Sequence, residues 1–425
     1  MIKIENGHLI DPKNNIDTIT DLYIKDGVVA GIGAQPANFT AQITIDATSK
    51  IVCPGIVDLS AHLREPGFTH KASIASETTA AASAGITTLV CPPNTQPVID
   101  STAVAELIQD RAKASAKARV LPIGALTIGL KGQQLAPMAA LTNSGCIAFS
   151  NHRATIENSQ ALLRCLEYAA THDYLVIFTP QDNSLVANGV LHEGYTSSDM
   201  GLVGIPESAE TIEVSRCLLL IEQAGVRAHF GQLSCQRSIG MVSQARKNGL
   251  NVTVDVAMHH LFFTDDNAKG FNSMFHLQPP LRSQLDRAGL LNAIVTDGIQ
   301  AICSDHQPHE EAAKHAPFAA TAAGISGLET LLPLGLQLVE QGLINLSQLI
   351  EKLSSGPAKI LNIAAGSLEI GAVADITIFD QHATWLVDEH SLVSAGKNSM
   401  FIGSTLTGKV TQTLLGGELV FDARQ

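Results

Sequence analysis

The sequence contains few aromatic and few charged residues, and this composition restricts the folds and partners that we expect. Aromatic residues make up 4% and charged residues 16% of the 425 residues, whereas hydrophobic residues reach 45% and glycine occurs 34 times. This supply of small and apolar residues favours closely packed α/β architecture over a β-sandwich. The net charge is −13 and no cluster of lysine and arginine occurs, so we do not expect nucleic acid as a partner.

Long apolar runs and paired cysteine motifs are also missing. No run reaches the roughly 18 apolar residues that a membrane-spanning helix needs, and the first residues lack the pattern of a secretion signal. The seven cysteines form no Cys-x-x-Cys motif, and Cys53, Cys91 and Cys303 lie within apolar runs. This is typical of buried free thiols in a reducing compartment. We therefore expect a cytoplasmic protein that has no membrane partner.

The two chain ends have the pattern of β-structure, whereas the middle alternates strands and helices. Asn6-Gly7, Asp26-Gly27 and Gly416-Gly417 each separate apolar runs, which predicts β-hairpins. In the middle, short apolar runs alternate with stretches of helical spacing. The predicted strands of this region span residues 51–59, 87–91, 120–126, 146–149, 175–179, 226–233, 252–256 and 301–304.

Eight strand–helix units over about 300 residues favour a closed (β/α)8 barrel of the TIM type. The rival α/β fold is an open doubly wound sheet, but no Gly-x-Gly-x-x-Gly follows the first strand of the series. We assign residues 51–365 to the barrel. Residues 1–50 and 366–425 are assigned to a small β-subdomain that is built from both chain ends.

Polar residues follow the predicted strands at the end where such barrels keep their chemistry. These residues belong to segments that resemble the dihydroorotases of the amidohydrolase superfamily, in the bacterial type that also serves multifunctional pyrimidine complexes. Their order and spacing along almost the whole chain make the resemblance specific. The segments are Pro54-Gly-Ile-Val-Asp-Leu-Ser-Ala-His-Leu-Arg-Glu-Pro-Gly67, Cys91-Pro-Pro-Asn-Thr95, His192-Glu-Gly194, Gly204-Ile-Pro-Glu-Ser-Ala-Glu210, Pro279-Pro-Leu-Arg282, Ser304-Asp-His-Gln-Pro-His309 and Gly327-Leu-Glu-Thr-Leu-Leu-Pro333.

The resemblance implies a barrel whose mouth binds metal ions that activate water for opening or closing the dihydroorotate ring. Of the six metal-ligand positions it implies, only His62 and Asp305 carry a ligand. The other four positions hold Ser60, Asn151, Thr179 and Gln232.

Hydroxyl and amide oxygens are neutral and poor zinc donors, and a catalytic zinc site normally has three protein ligands and a water. Without metal, the pKa of water stays near 15.7 instead of about 7. We therefore expect no cofactor and a vestigial Asp305, and zinc only if an altered site exists.

The positions that bind the substrate carboxylate in the family keep their residues in this sequence. The resemblance implies this role for Arg64, Asn94 and His309, which are all present. A planar guanidinium can bond both carboxylate oxygens. The alternative is that the three are vestigial, with Arg64 paired to a neighbouring acid and Asn94 capping a turn.

Neighbouring residues leave open whether the site is completed in another way. His152 adjoins the lost position of Asn151, and Arg153 would bring positive charge to the mouth if it points inward. His229 belongs to the pattern of the resembling family, close to the altered position at Gln232. The pair His259-His260 is expected to pack or to hydrogen-bond locally. Ser60 lies on no Gly-x-Ser-x-Gly elbow, so a serine-hydrolase triad is not expected.

Three functions are compatible with the sequence. In the first, the protein is like the inactive dihydroorotase homologues that assemble with aspartate transcarbamoylase. The resemblance then implies the transcarbamoylase catalytic subunit as partner, a homodimer, and no enzymatic activity of its own. The second is a working cyclic amidohydrolase whose altered metal site uses His62, Asp305 and one recruited residue. The third is a module that binds a pyrimidine precursor without chemistry.

Overall fold

The computed structural model describes residues 1–424, which form two large sheets and a surrounding layer of helices. In chain order, the strands are β1 (Ile2–Asp11), β2 (Ile16–Lys25), β3 (Val28–Ile32), β4 (Ile43–Asp46), β5 (Ile51–Pro54), β6 (Ile56–Asp58), β7 (Ile86–Cys91), β8 (Arg119–Ala125), β9 (Ala148–Ser150), β10 (Val176–Phe178), β11 (Leu191–His192), β12 (Gly204–Ile205), β13 (Ala228–Phe230), β14 (Val252–Ala257), β15 (Ala301–Cys303), β16 (Ile376–Leu386), β17 (Thr405–Leu415) and β18 (Glu418–Asp422).

The α-helices fall mainly between the barrel strands. In chain order, they are α1 (Ile74–Ser83), α2 (Thr102–Ser115), α3 (Met138–Asn143), α4 (Ser159–Thr171), α5 (Asn183–Val186), α6 (Tyr195–Asp199), α7 (Ser208–Ala224), α8 (Gln236–Lys247), α9 (Gln284–Val295), α10 (Leu328–Glu340), α11 (Leu346–Ile350) and α12 (Gly356–Leu361). A short π-helix, Glu351–Ser355, joins the last two.

Eight parallel strands form the barrel, in the order β6-β7-β8-β9-β10-β13-β14-β15. Every residue of β7 and of β15 is buried, as expected of parallel strands that are covered on both faces. The first and last strands meet at their carboxyl ends, where the backbone N–H of His62 donates to the carbonyl of His306 at 2.8 Å and that of His306 donates to Ser60 at 3.1 Å. The predicted (β/α)8 fold is confirmed.

The second large sheet is mixed and draws on both chain ends. Its strands lie in the order β18-β17-β16-β5-β1-β2-β3, and β4 pairs with β1. The strand predicted over residues 51–59 is wrong as a single strand, because β5 belongs to this sheet and only β6 to the barrel. The break is at Gly55, where a Cβ atom would lie 2.2 Å from the Thr87 hydroxyl. The mixed sheet thus reaches four residues beyond the predicted boundary at residue 50.

Two of the three predicted hairpins are confirmed. Asp26-Gly27 joins β2 to β3, and Gly416-Gly417 joins β17 to β18. The hairpin predicted at Asn6-Gly7 is wrong, because β1 continues through it with a bulge between Ile4 and Gly7. The φ of Asn6 is +60°, and a bulge can use the same left-handed backbone that a tight turn requires.

All seven cysteines are free and buried, which confirms the expectation of unpaired thiols. Across residues 1–424, no helix has both the length and the apolar character that a membrane crossing requires.

Candidate functional site at the barrel mouth

The residues at the six implied ligand positions are all buried at the carboxyl ends of the barrel strands. We call this set the metal half of the mouth, and the residues predicted to bind a carboxylate the carboxylate half. Residues of the metal half are between 2% and 7% exposed. The metal half consists of Ser60, His62, Asn151, Thr179, Gln232 and Asp305, and the carboxylate half of Arg64, Asn94 and His309.

Asp305 is the one carboxylate of the metal half, and its oxygens are already bonded within the protein. Ser60 Oγ donates to Asp305 Oδ1 at 3.3 Å, and Gln307 Nε2 lies 3.4 and 3.3 Å from Oδ1 and Oδ2. Burial raises the pKa of the Asp305 carboxyl, and the positive charge of Arg153 opposes that rise.

Asn151 does not present its amide oxygen to a ligand. Its Oδ1 accepts the backbone N–H of Thr127 at 3.1 Å. Its Nδ2 donates to the carbonyls of Leu130 and Ala154, both at 3.3 Å. The side chain that stands at the implied bridging position therefore serves to fix the two loops beside it.

Arg153 points inward, as the sequence left open. Its Nη2 donates to Gln232 Oε1 at 2.7 Å and lies 3.8 Å from Asp305 Oδ2. The side chain is 13% exposed. A guanidinium thus lies between two positions where the family resemblance implies metal ligands.

The imidazoles of the mouth are neutral. The His62 and His152 rings meet edge to face with their centroids 5.2 Å apart, and Thr179 Oγ1 lies 3.5 Å from His152 Nδ1. Burial lowers the pKa of both imidazoles far below its ordinary value, and the charges of Arg64 and Arg153 lower it further. His62 Nε2 is buried and has no hydrogen-bond partner.

These residues do not fit a divalent metal. A dication about 4 Å from the Arg153 guanidinium would meet a repulsion of about 8 kcal/mol at an effective dielectric constant of about 20. Within residues 1–424, one set of three His, Cys, Asp or Glu side chains has its ligand atoms all within 4.8 Å of one another. That set is Glu207, Cys235 and Asp286, none of which stands at an implied ligand position. No third ligand is therefore placed beside His62 and Asp305.

In the carboxylate half, Arg64 is partly buried and has no acidic partner. Its Nε donates to the carbonyl of Pro308 at 3.0 Å, and no carboxylate of residues 1–424 lies within 4.0 Å of its nitrogens. Burial lowers the pKa of Arg64 to about 10, so the guanidinium stays charged at neutral pH. The alternative that Arg64 pairs with a neighbouring acid is wrong.

Asn94 and His309 complete this half. Asn94 Oδ1 is buried without a hydrogen-bond partner, so the alternative that its oxygen caps a turn is also wrong. His309 Nε2 lies 2.9 Å from the Ala323 carbonyl and 3.1 Å from Arg64 Nη2. Lys71 Nζ only donates and lies 3.0 Å from Nδ1, so Nδ1 accepts and Nε2 donates its proton to the Ala323 carbonyl. Arg64 Nη2 is then a close cationic neighbour of Nε2 and not its hydrogen-bond donor. Burial, together with Arg64 and Lys71, lowers the pKa of His309 to about 3.

Two buried carboxylates, Glu77 and Asp58, have partners near the mouth that were not anticipated from the sequence. Glu77 Oε2 lies 2.7 Å from His306 Nε2, and Asp58 Oδ1 accepts the backbone N–H of Ser304 at 2.9 Å. Burial would raise the pKa of Glu77, but hydrogen bonds, chiefly from His306, hold it at about 2. Glu77 is the one charged residue of α1, and that isolation is the signal that could have singled it out.

The remaining histidines make mainly local contacts. His229 bonds Asp255 and Thr253, each at 2.8 Å. His260 Nε2 bonds the Pro280 carbonyl at 3.2 Å, which confirms the local contacts expected of the pair His259-His260. His259 packs on His260 with a centroid distance of 4.6 Å, and both of its ring nitrogens are buried without partners.

Comparison with known proteins agrees with this fold. A family model described as "Dihydro-orotase-like" matches residues 49–238. A "Dihydroorotase-like protein" of Pseudomonas aeruginosa is 50% identical over 421 residues, covering 99% of each chain. A "Dihydroorotase" of Trichlorobacter lovleyi is 40% identical, again covering 99% of each.

Solved structures share the fold. L-hydantoinase from Arthrobacter aurescens superposes with a TM-score of 0.89 at 24% identity, covering 99% of this chain and 96% of the other. D-hydantoinase from a Thermus species gives a TM-score of 0.85 at 18% identity, covering 100% and 96%.

Proposed function

Since the chain belongs to the dihydroorotase-like family, we propose that it is a non-catalytic member that supports pyrimidine biosynthesis as a structural partner of aspartate transcarbamoylase. It binds no metal and turns over no dihydroorotate. Its own assembly is a homodimer, and its partner is the transcarbamoylase catalytic subunit.

The observation that carries this proposal is the way in which the metal half is filled. Asn151 is committed to neighbouring loops, and Gln232 and Asp305 are engaged by Arg153. The barrel around them is complete. A complete fold whose reactive positions are occupied by the protein's own contacts suggests a use for the fold other than hydrolysis.

The decisive experiment uses the full chain purified from its native host without chelators. We expect zinc far below one ion per chain, no dihydroorotate turnover above a blank, and co-elution with the transcarbamoylase catalytic subunit. The chain alone should elute at twice its 44.8 kDa mass. Stoichiometric zinc together with ordinary turnover would refute the proposal.

A partner of another kind is distinguished by reconstitution. Mixing the purified chain with the transcarbamoylase catalytic subunit should give a complex of defined stoichiometry and raise or stabilise transcarbamoylase activity. Failure of the two to associate at micromolar concentrations would remove the scaffold role and leave the absence of hydrolysis as a separate result.

A second candidate is a module that binds a pyrimidine precursor through the carboxylate half. It is favoured by Arg64, which is partly buried without an acidic partner, and by Asn94 Oδ1, which is buried without any hydrogen bond. A ligand carboxylate can satisfy a guanidinium through two parallel hydrogen bonds. A ligand N–H can satisfy the amide oxygen.

Calorimetry with dihydroorotate and with carbamoyl aspartate tests this candidate. We expect binding by the unaltered protein and a loss of at least tenfold in affinity for Arg64→Met. The matched control is Arg164→Met, since Arg164 is 61% exposed on α4. No heat and no thermal stabilisation at millimolar ligand would exclude the binding role.

A further inference from the structure

The Arg153 side chain lies inside the barrel mouth, which is unusual for an arginine without a catalytic role. The φ of the preceding His152 is +49°, which turns the chain just after the implied bridging position at Asn151. The guanidinium is thereby directed into the mouth, where burial lowers its pKa. An arginine is costly to bury without a partner, so its partners should reveal its role.

Those partners stand at two implied ligand positions on different strands. Gln232 follows β13 and accepts from Arg153 Nη2 at 2.7 Å. Asp305 follows β15 and has Oδ2 3.8 Å from the same nitrogen. Ser60, after β6, donates to the other oxygen of Asp305. One guanidinium thus links residues that, by the family resemblance, would be linked through metal.

The charges agree with this arrangement. Within residues 1–424, Arg153 is the one Lys, Arg or His side chain whose nitrogen lies within 4.0 Å of the Asp305 carboxylate. Asp305 is 3% exposed, and a buried carboxylate needs a nearby positive charge or strong hydrogen bonds. Its own hydrogen bonds come from the hydroxyl of Ser60 and the amide of Gln307, which are both neutral.

We propose that the Arg153 guanidinium is a built-in cation that replaces the metal ions of the barrel mouth. It balances Asp305, orients Gln232 and excludes divalent metal by charge and by space. The four altered ligand positions weaken metal binding, and Arg153 then takes over the structural role of the metal. This inference rests on the absence of metal that the proposed function includes, but it requires no protein partner.

A double-mutant cycle in metal-free buffer tests the charge-balancing role. We expect Arg153→Met to lower Tm by several degrees, because it leaves the Asp305 carboxylate buried without a cation. Adding Asp305→Asn to this variant should restore part of the loss, whereas Asp305→Asn alone should lower Tm. Arg164→Met serves as the control for removing an arginine and should leave Tm unchanged.

Non-additivity of the two substitutions supports the proposal, and additive effects overturn it. If Arg153→Met is recovered only as insoluble protein, recovery of soluble protein by adding Asp305→Asn is the same supporting result. A double variant that remains as insoluble as Arg153→Met overturns it.

Zinc binding tests the exclusion of metal. The four substitutions Ser60→His, Asn151→Asp, Thr179→His and Gln232→His restore the implied ligands, and the resulting chain is compared with and without Arg153→Met. We expect zinc to bind at least tenfold more tightly, and to raise Tm, only when Arg153 is also replaced. Equal zinc affinity in the two chains overturns the exclusion, and if neither chain folds, the Asp305 cycle decides.

The outcome is separable from that of the proposed function. Zinc content and dihydroorotate turnover of the unaltered protein test whether it is an enzyme, whereas the cycle measures coupling between two side chains without metal. A metal-free protein whose cycle is additive would retain the proposed function and lose this role of Arg153.

Discussion

The altered residues of the metal half have hydrogen-bond partners inside the protein, whereas Asn94 and Arg64 of the carboxylate half keep polar groups that the protein does not fully satisfy. In the metal half, Asn151 bonds Thr127, Leu130 and Ala154, and Asp305 has Ser60 and Arg153. In the carboxylate half, Asn94 Oδ1 has none and Arg64 has no acid. Altered positions that have acquired internal partners contribute to stability, whereas retained positions without partners are still suited to a ligand.

The largest effect is expected when a carboxylate is returned to the metal half, which tests whether its polar groups are fully bonded. Asn151→Asp replaces two N–H donors by an oxygen that faces the carbonyls of Leu130 and Ala154 and buries an unpaired charge. We expect the free energy of unfolding at pH 7 to fall by about 3 kcal/mol, measured by urea denaturation.

The matched control is Asn158→Asp. Asn158 is the N-cap of α4 and accepts the backbone N–H of Gln160 through Oδ1, a role that an aspartate fills equally well. This control should stay within about 0.5 kcal/mol. If Asn151→Asp proves equally harmless, the metal half is open to a cation.

The pH dependence of stability sharpens the comparison on the carboxylate side. The pKa of His309 is about 3 in the folded protein, against 6.5 ordinarily. Between these values the unfolded chain binds the proton and the folded chain does not. The effect of His309 on the free energy of unfolding is therefore absent above pH 6.5. Below that pH, the free energy of unfolding falls progressively as the pH approaches 3.

His309→Gln removes this group, so the loss of unfolding free energy between pH 7.5 and pH 5 should shrink by about 2 kcal/mol. Urea denaturation at the two pH values measures it. His315→Gln is the control, because the His315 side chain is 66% exposed, and it should leave the difference unchanged. An undiminished loss in His309→Gln would show that His309 accepts a proton while folded.

The smallest effect is expected for the second asparagine. Asn94→Ala removes an amide oxygen that has no partner, so unfolding free energy should stay the same or rise by up to about 1 kcal/mol. Asn151→Ala, which breaks several hydrogen bonds, should lose about 2 kcal/mol under the same conditions. A comparable loss in Asn94→Ala would erase the distinction between the two halves.

Much of the barrel could be predicted from the sequence because parallel buried strands appear as nearly continuous apolar runs. That signal gave all eight barrel strands within a few residues. It failed at Gly55, where one apolar run continues through two sheets, because apolarity is the same on both sides of the break. The separate Asn-Gly signal for a hairpin failed at Asn6, because a bulge and a tight turn require the same left-handed backbone.

The residues of the candidate site could be predicted from the sequence, but the directions in which their side chains point could not. Strand ends converge in a barrel, so Ser60, Thr179, Gln232 and Asp305 could be expected together. The turn at His152 that directs Arg153 inward depends on one backbone torsion of +49°, which residue type does not determine. The pairing of Glu77 with His306 spans 229 positions, and nothing local to either residue predicts it.

Peptide groups form one link between the first and last barrel strands, at Ser60, His62 and His306. The two hydrogen bonds of this link join backbone atoms, so they do not depend on the Ser60 side chain, which separately bonds Asp305. Mutation can therefore exchange the side chain at Ser60 without opening the cylinder. In evolutionary terms, the residues that maintain the fold are distinct from those that carry out catalysis. A lineage can therefore lose the catalytic residues while selection still preserves the fold.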